Sequence, residues 1–275
     1  MESISALRER CQSSKQAGDF PSPYVRFGRK YSIYLTWVLL HTRMSANQVT
    51  LLGIGLGLLG ACLLAFNRPL PLITGLVLLQ ISFILDFSDG EVARYKNATG
   101  TLAGAYLDYL YHFYVPILYM GGLAISAFTA VPRLEIFALG VLACAGVSQM
   151  HFFCKEHILI SHLRNHPEGA SRPEVLEAMQ DSPRLGGANV VSSEPANRFS
   201  VSRLTRFIGE LLLYPYAFNV ISAVVLLDIW LSQGQAVTSA RARIGFLAVA
   251  ACLLLLQTFK KVRSNFLVLR AIDRS

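Results

Sequence analysis

Long apolar segments are the feature that most constrains this chain. Six stretches contain few charged side chains, at about residues 47–66, 70–89, 102–130, 134–154, 208–231 and 244–259. A helix needs about 20 mostly apolar residues to cross about 30 Å of hydrocarbon, and these stretches approach or exceed that length. Because lipid offers no hydrogen-bond partners to the backbone, single segments of this length span membranes as helices. The sequence therefore predicts an all-α integral membrane protein with six transmembrane helices.

The overall composition excludes an ordinary soluble domain. Of the 275 residues, 53% are hydrophobic and 15% are charged, and the mean hydropathy is +0.45. The five cysteines include no C-x2-C spacing, which argues against a zinc site or a disulfide framework. The net charge of +8 is also found in nucleic-acid-binding proteins, but here the basic residues lie beside apolar stretches, where they set membrane orientation. We therefore expect a membrane partner and no nucleic acid.

The remaining parts of the chain flank or connect the spans. Residues 1–23 are predicted to form a polar N-terminal tail. Residues 24–44 mix Lys and Arg with Tyr and Trp, a pattern that predicts an interfacial amphipathic helix. The six-span domain is expected over residues 45–263, and its long cytoplasmic loop at 157–205 contains several prolines and room for one short helix. Residues 264–275 are expected to be a cytoplasmic tail.

The distribution of Lys and Arg predicts the orientation in the membrane. With six spans both termini lie on one side, and only four of the 25 basic residues fall on the other side: Arg68, Arg133, Arg241 and Arg243. The positive-inside rule therefore places both termini in the cytoplasm. We expect a multi-pass protein of a bacterial plasma membrane rather than of an internal membrane.

Acidic side chains gather where the second span ends and the third begins. Asp86 and Asp89 are spaced i and i+3, and Asp108 and His112 are spaced i and i+4, so each pair shares one helix face. Glu91 also lies at the end of the second span. Carboxylates are costly at membrane depth, so their clustering indicates a functional site. Their oxygens are ligands that Mg²⁺ and Mn²⁺ prefer, and these ions keep open positions for substrate phosphate, which predicts phosphoryl chemistry.

Three neighbouring residues suit such a site. Gly90 leaves room for a phosphate to approach the backbone, and Arg94 offers a planar fork for phosphate oxygens. Gly104, four residues before Asp108, would let the second and third spans approach closely. The glycines of the first span are expected to serve helix packing rather than substrate contact.

This pattern resembles the signature of the CDP-alcohol phosphotransferase family, D-x2-D-G-x2-A-R-x8–9-G-x3-D-x3-D. In this chain the signature runs from Asp86 to His112, and His112 stands in the place of the fourth aspartate. Residues 45–50, SANQVT, are similar to the family's P-N-x-V-T, with Ala46 in the place of proline. Residues 157–205 are longer than the family pattern suggests and lie outside its motif.

The resemblance implies a homodimer of six-helix protomers, each with a cytoplasm-facing cavity that holds two divalent ions, Mg²⁺ or Mn²⁺. It also implies transfer of a phospho-alcohol group from a CDP-linked donor to an acceptor hydroxyl, with release of CMP, at least one substrate being a lipid. The implied metal ligands are Asp86, Asp89, Asp108 and His112. The implied donor-binding residues are Asp89, Gly90, Ala93, Arg94 and Gly104. The implied catalytic residues are Asp108 and His112.

His112 occupies the position to which the resemblance assigns the general base. An imidazole suits removal of a hydroxyl proton at cytoplasmic pH. It adds no negative charge and cannot bridge two ions, so the second ion is expected to bind weakly or not at all. Three roles remain open for His112, namely general base, metal ligand and mark of lost activity.

Two alternatives also remain open for the whole chain. The first is a catalytically inactive family member that acts as a membrane binding or assembly partner. The second is a cation transporter, since acidic residues in spans also mark ion pathways. The fourth and sixth spans contain almost no acidic residues, which favours a localised site over a pathway.

Overall fold

The computed structural model describes residues 2–16, 23–165, 217–233, 235 and 239–272, and the regular elements in these ranges are all α-helices. In chain order they are α1 (Ile4–Gln16), α2 (Pro23–Leu40), α3 (Ala46–Leu64), α4 (Pro69–Tyr95), α5 (Leu102–Ala130), α6 (Leu134–Asn165), α7 (Ala217–Leu231) and α8 (Arg241–Ile272). The all-α prediction is confirmed for the described part of the chain.

In the described part of the chain, four helices are long and apolar enough to cross a membrane. They are α3, α4, α5 and the segment Arg241–Lys260 of α8. The apolar segment Leu134–Gln149 of α6 and the described helix α7 are shorter. The predicted fifth span begins at residue 208, and its first part lies outside the described residues. The count of six spans therefore stays a prediction.

Three helices extend beyond the predicted spans into polar sequence. Helix α4 continues to Tyr95 rather than ending at Asp89, and α6 continues to Asn165, inside the predicted loop 157–205. Helix α8 likewise continues to Ile272, through most of the predicted tail. The predicted ends followed the fall in hydropathy, but Glu, Arg and Lys are good helix formers and prolong a helix beyond its apolar part. The rest of the predicted loop, with its short helix, lies outside the described residues.

The N-terminal segment, predicted as a polar tail, contains helix α1. Helix α2 nearly coincides with the amphipathic helix predicted at 24–44. Its exposed side chains include Phe27, Tyr31, Tyr34 and Trp37. Aromatic side chains beside basic ones are typical of helices at a membrane interface, and the location of α2 at such an interface stays a prediction.

Helix α3 packs closely along α4 and α5 because small residues line its contacts. A Cβ atom at Gly60 would lie 2.9 Å from the carbonyl oxygen of Gly75, and one at Gly75 would lie 2.8 Å from that of Gly60. A Cβ atom at Gly57 would lie 2.9 Å from Val115 on α5. Gly57 and Gly60 thus have the packing role expected for first-span glycines, and they hold α4 and α5 on either side of α3.

A buried ion pair joins the helices at the end opposite to the acidic motif. Nε of Arg243 donates to Oδ2 of Asp228 at 2.8 Å, and both side chains are fully buried. The same guanidinium donates to Oγ of Ser126 at 2.8 Å and to Oδ1 of Asn67 at 2.7 Å. Asp228 also accepts from the backbone N–H of Ala242 at 2.8 Å. The network connects α5, α7, α8 and the turn between α3 and α4, so Arg243 has a structural role beyond that of a topology-setting cation.

We expect Arg243→Met to lower the free energy of unfolding by about 3 to 5 kcal/mol, because it leaves the Asp228 carboxylate buried without its cation. The double variant Arg243→Met/Asp228→Asn should recover part of this loss, since it removes the charge and keeps a polar group at the start of α8. Denaturant unfolding in detergent, followed by circular dichroism, measures both effects. A double variant no more stable than Arg243→Met would contradict the explanation by an uncompensated charge.

Candidate functional site

Three of the four residues expected to bind metal come together where α4 faces α5. Asp86 lies on α4, Asp108 and His112 lie on α5, and one possible ligand atom of each lies within 4.8 Å of the other two. Nε2 of His112 is 3.3 Å from Oδ1 of Asp108 and 3.6 Å from Oδ1 of Asp86. The i, i+4 spacing on α5 therefore places both of its polar side chains opposite Asp86.

Asp89 lies one turn further along α4, and its carboxylate contacts α3. Its Oδ2 accepts a hydrogen bond from Oγ1 of Thr50 at 2.6 Å. Asp89 therefore does not belong to the three-residue group, although its spacing from Asp86 puts it on a similar side of α4. The sequence analysis did not predict Thr50 as a site residue. The one sequence feature that indicated it was its position in the stretch SANQVT, which is similar to a family motif.

Gly90 and Arg94 lie side by side near the end of α4. A Cβ atom at Gly90 would lie 3.3 Å from Nη1 of Arg94, so the missing side chain lets the guanidinium lie close to the helix backbone. Nε of Arg94 donates to the main-chain oxygen of Cys11 in α1. The direction of the Arg94 side chain is thus set by a helix that precedes the predicted membrane domain.

The other two residues expected in the donor pocket lie nearby on the ends of α4 and α5. Ala93 is partly buried near the end of α4. Gly104 lies in the first turn of α5, where a Cβ atom would be 2.9 Å from Oγ1 of Thr101 and 3.4 Å from Oδ1 of Asn47. Gly104 therefore allows a close approach between α5 and the start of α3. No atom of α4 lies within 4 Å of this Cβ position, so the close approach that Gly104 allows is to α3 and not, as expected, to α4.

Glu91 was counted with the acidic cluster from the sequence, but it faces the other side of α4. Successive helix residues are rotated by about 100°, so Glu91 is turned by about 140° from Asp86. Its carboxylate is buried and accepts hydrogen bonds from Gln12 on α1 at 2.7 Å and from two α2 hydroxyls, Ser32 and Thr36, at 2.6 Å each. Glu91 therefore connects α4 to the two N-terminal helices.

The ligand atoms of Asp86, Asp108 and His112 fit one divalent cation. Ligands about 2.1 Å from a Mg²⁺ or Mn²⁺ ion lie roughly 3 to 4 Å from one another, and small side-chain movements bring the three atoms to that spacing. The side chains of His112 and Asp108 are 23% and 53% exposed, so the group is accessible to a substrate. Two carboxylate oxygens and one imidazole nitrogen suit Mn²⁺ better than Mg²⁺, which favours oxygen ligands.

A match to a known protein family covers the part of the chain that contains Asp86, Asp108 and His112. The sequence model of the CDP-alcohol phosphatidyltransferase family matches residues 43–167. This match covers less than half of the chain. The matched region contains Thr50 and the whole motif from Asp86 to His112, whereas α1 and α2 precede it.

A curated relative is similar to part of this chain. The protein named "Bifunctional IPC transferase and DIPP synthase" from Rubrobacter xylanophilus is 35% identical to it over 132 residues. The similarity covers 48% of this chain and 26% of the relative. The chain thus matches about a quarter of the length of that relative, and the two activities in the name are those of the relative.

We expect Asp108→Asn and His112→Ala each to weaken Mn²⁺ binding by roughly tenfold or more, because each removes one of three converging ligand atoms. The signal of free Mn²⁺ in electron paramagnetic resonance, recorded on protein in detergent, measures the affinity. Glu135→Gln, at an exposed position at the start of α6, is the matched control and should bind Mn²⁺ as the wild type does. Equal Mn²⁺ affinity in Asp108→Asn and the control would show that this group is not a metal site.

Proposed function

We propose that this protein transfers a phospho-alcohol group from a CDP-linked donor to an acceptor hydroxyl, with release of CMP, in phospholipid or lipid-linked head-group biosynthesis. The observation that carries the proposal is the convergence of Asp86, Asp108 and His112 inside the region that matches the sequence model of a transferase family. The name of the curated relative, a transferase and synthase, supports the same class of reaction. Four helices that can cross a membrane support a lipid as at least one of the substrates.

In the proposed reaction the acceptor oxygen attacks the phosphorus atom of the phospho-alcohol group. The bond between this phosphorus and the bridging oxygen breaks, and CMP leaves with the electron pair. The hydroxyl proton passes to Nε2 of His112, and the Asp108 carboxylate, 3.3 Å from that nitrogen, stabilises the protonated imidazole. A Mg²⁺ or Mn²⁺ ion held by the aspartates would neutralise charge on the phosphate oxygens.

If His112 is a metal ligand instead of the proton acceptor, it would bind the ion through the same nitrogen, Nε2. This is the nitrogen that lies beside the carboxylates of Asp86 and Asp108. A nitrogen that coordinates a cation has no lone pair left for a proton. In that version of the proposal a water molecule accepts the hydroxyl proton, and His112 acts as the third ligand. A single imidazole cannot bridge two ions, so in either version we propose one strongly bound ion and a second that is weak or absent.

The donor end of the proposed site lies at the end of α4. Asp89, Gly90, Ala93 and Arg94 lie in the last two turns of α4, and Gly104 lies in the first turn of α5. The Arg94 guanidinium lies beside Gly90, where a planar fork can meet phosphate oxygens next to a backbone without a side chain. We assign the CDP-linked donor to this end of the bundle.

The proposal includes an orientation and an assembly state. The bias of basic residues supports six spans with both termini and the site at the cytoplasmic face of a bacterial plasma membrane. The aromatic and basic surface of α2 supports its location at the interface of that membrane. The homodimer is carried over from the family resemblance.

We expect purified protein with Mg²⁺ or Mn²⁺, CDP-diacylglycerol or another CDP-alcohol, and a panel of hydroxyl acceptors to release CMP, which chromatography quantifies. Asp108→Asn should lower kcat by roughly 100-fold or more, because the variant loses both a proposed ligand and the negative charge that stabilises protonated His112. Glu135→Gln should retain the wild-type rate. Absence of CMP release with every donor would favour an inactive assembly partner, and full activity in Asp108→Asn would exclude this site.

Two substitutions at His112 separate its two proposed roles. His112→Ala should lower kcat by roughly 100-fold or more in either case. His112→Asp replaces a nitrogen ligand with an oxygen ligand, so a ligand role predicts a shift in activation from Mn²⁺ towards Mg²⁺. A proton-acceptor role predicts a lower rate with an unchanged ratio of Mg²⁺ to Mn²⁺ activation. A wild-type rate in His112→Ala would contradict both roles.

A further inference from the structure

We infer that helix α1 is a positioning element for the donor site, which it serves by holding the Arg94 guanidinium beside Gly90. This inference rests on the proposed function, because that function assigns Arg94 to the donor phosphates. Helix α1 lies outside the region matched by the family, so its contacts with α4 are a property of this chain.

The attachment of α1 to α4 begins at the buried carboxylate of Glu91. Gln12 is buried, and its Nε2 atom donates both to Oε1 of Glu91 at 2.7 Å and to the main-chain oxygen of Arg29 in α2 at 2.8 Å. Hydrogen bonds to an ionised acceptor are roughly twice as strong as neutral ones, and their strength depends on geometry. The Gln12 amide therefore fixes the position of α1 against both α2 and α4.

Further contacts hold α1 over the last turn of α4. The guanidinium of Arg10 lies 4.6 Å from the centre of the Tyr95 ring, and its Nη2 atom donates to the Tyr95 carbonyl oxygen at 3.4 Å. Leu7 and Cys11, on the same face of α1, are buried in a small apolar cluster with Ile33 of α2. The contact thus combines apolar burial with directional hydrogen bonds, which sets one position for the main chain of α1.

That position places a main-chain acceptor beside Arg94. The carbonyl oxygen of Cys11 accepts from Nε of Arg94, which fixes the plane of the guanidinium. Along α4, Arg94 is turned by about 80° from Asp86, and Glu91 is turned by about 140° in the same direction. Arg94 therefore lies between the face that contacts α1 and the face that carries the metal group, and it can contact both.

An arginine held in this way loses little freedom when it binds phosphate. Arg side chains carry about 2 kcal/mol of rotamer entropy, and a guanidinium that is oriented in advance reduces the loss on binding. In the proposed function Arg94 contacts the CDP-linked donor equally in the bound complex and in the transition state. The orientation of Arg94 therefore affects the binding of that donor more than the rate of turnover. Weaker attachment of α1 should therefore raise KM for the donor and leave kcat nearly unchanged.

The experiment measures kcat and KM for CDP-diacylglycerol in Gln12→Leu, with Glu9→Gln on the exposed face of α1 as the matched control. We expect KM to rise roughly fivefold to tenfold in Gln12→Leu with kcat within about twofold, and no change in the control. Size-exclusion profiles in detergent show whether each variant is folded. Glu91→Gln, which retains the shape of the side chain and removes its charge, should raise KM in the same direction.

A double-mutant cycle distinguishes positioning of Arg94 from a general structural role. If α1 acts through Arg94, Gln12→Leu should have no further effect on KM in an Arg94→Ala background. Effects that add, a fall in kcat at constant KM, or a wild-type KM in Gln12→Leu would each overturn the inference and leave the proposed function intact. Absence of CMP release by the wild-type protein would overturn both.

Discussion

Three carboxylates lie at one end of α4, and each of them needs a polar partner. This requirement determines which helices pack against that end of α4. An ionised side chain at membrane depth is tolerated only where it meets polar groups. Asp86 meets His112 on α5, Asp89 meets Thr50 on α3, and Glu91 meets donors on α1 and α2. Three carboxylates within six residues thus point to three different neighbours. The same contacts that satisfy the charges also assemble the candidate site.

The bundle has polar ends and a middle held by close packing. Between the site and the far end, α3 and α4 approach closely at Gly60 and Gly75, where neither backbone leaves room for a Cβ atom on the other. At the far end the Asp228 and Arg243 pair joins helices that are distant in sequence. Lipid provides little hydrophobic driving force between helices, so close packing and buried polar contacts determine their arrangement.

The site combines a family motif with contributions from outside the family region. Asp86, Asp108 and His112 lie within residues 43–167, and the helices that hold Glu91 and Arg94 lie before residue 43. With an imidazole in the last motif position, the candidate metal ligands are nitrogen and oxygen atoms rather than oxygen atoms alone. This difference affects which metal ion the site would prefer. In the further inference, the N-terminal helices act on the proposed CDP-donor end instead. On this proposal, different parts of the chain set the metal preference and the affinity for the CDP-linked donor.

The sequence by itself determined the helical class, the bounds of α5 and the pairing of residues along each helix. Hydropathy requires helices in lipid, and a spacing of i, i+4 places Asp108 and His112 on one face whatever surrounds them. It did not determine where α4 and α6 end, because polar helix formers extend a helix beyond its apolar part.

Only the tertiary structure decided which partner each polar side chain meets. Asp89 and Glu91 are two residues apart, yet one contacts α3 and the other contacts α1 and α2. Gln12 and Arg243 had no distinguishing local pattern, and their roles follow from helices that are far away in the sequence. Periodicity describes the faces of a single helix, whereas a partner depends on the rotation and packing of its neighbours.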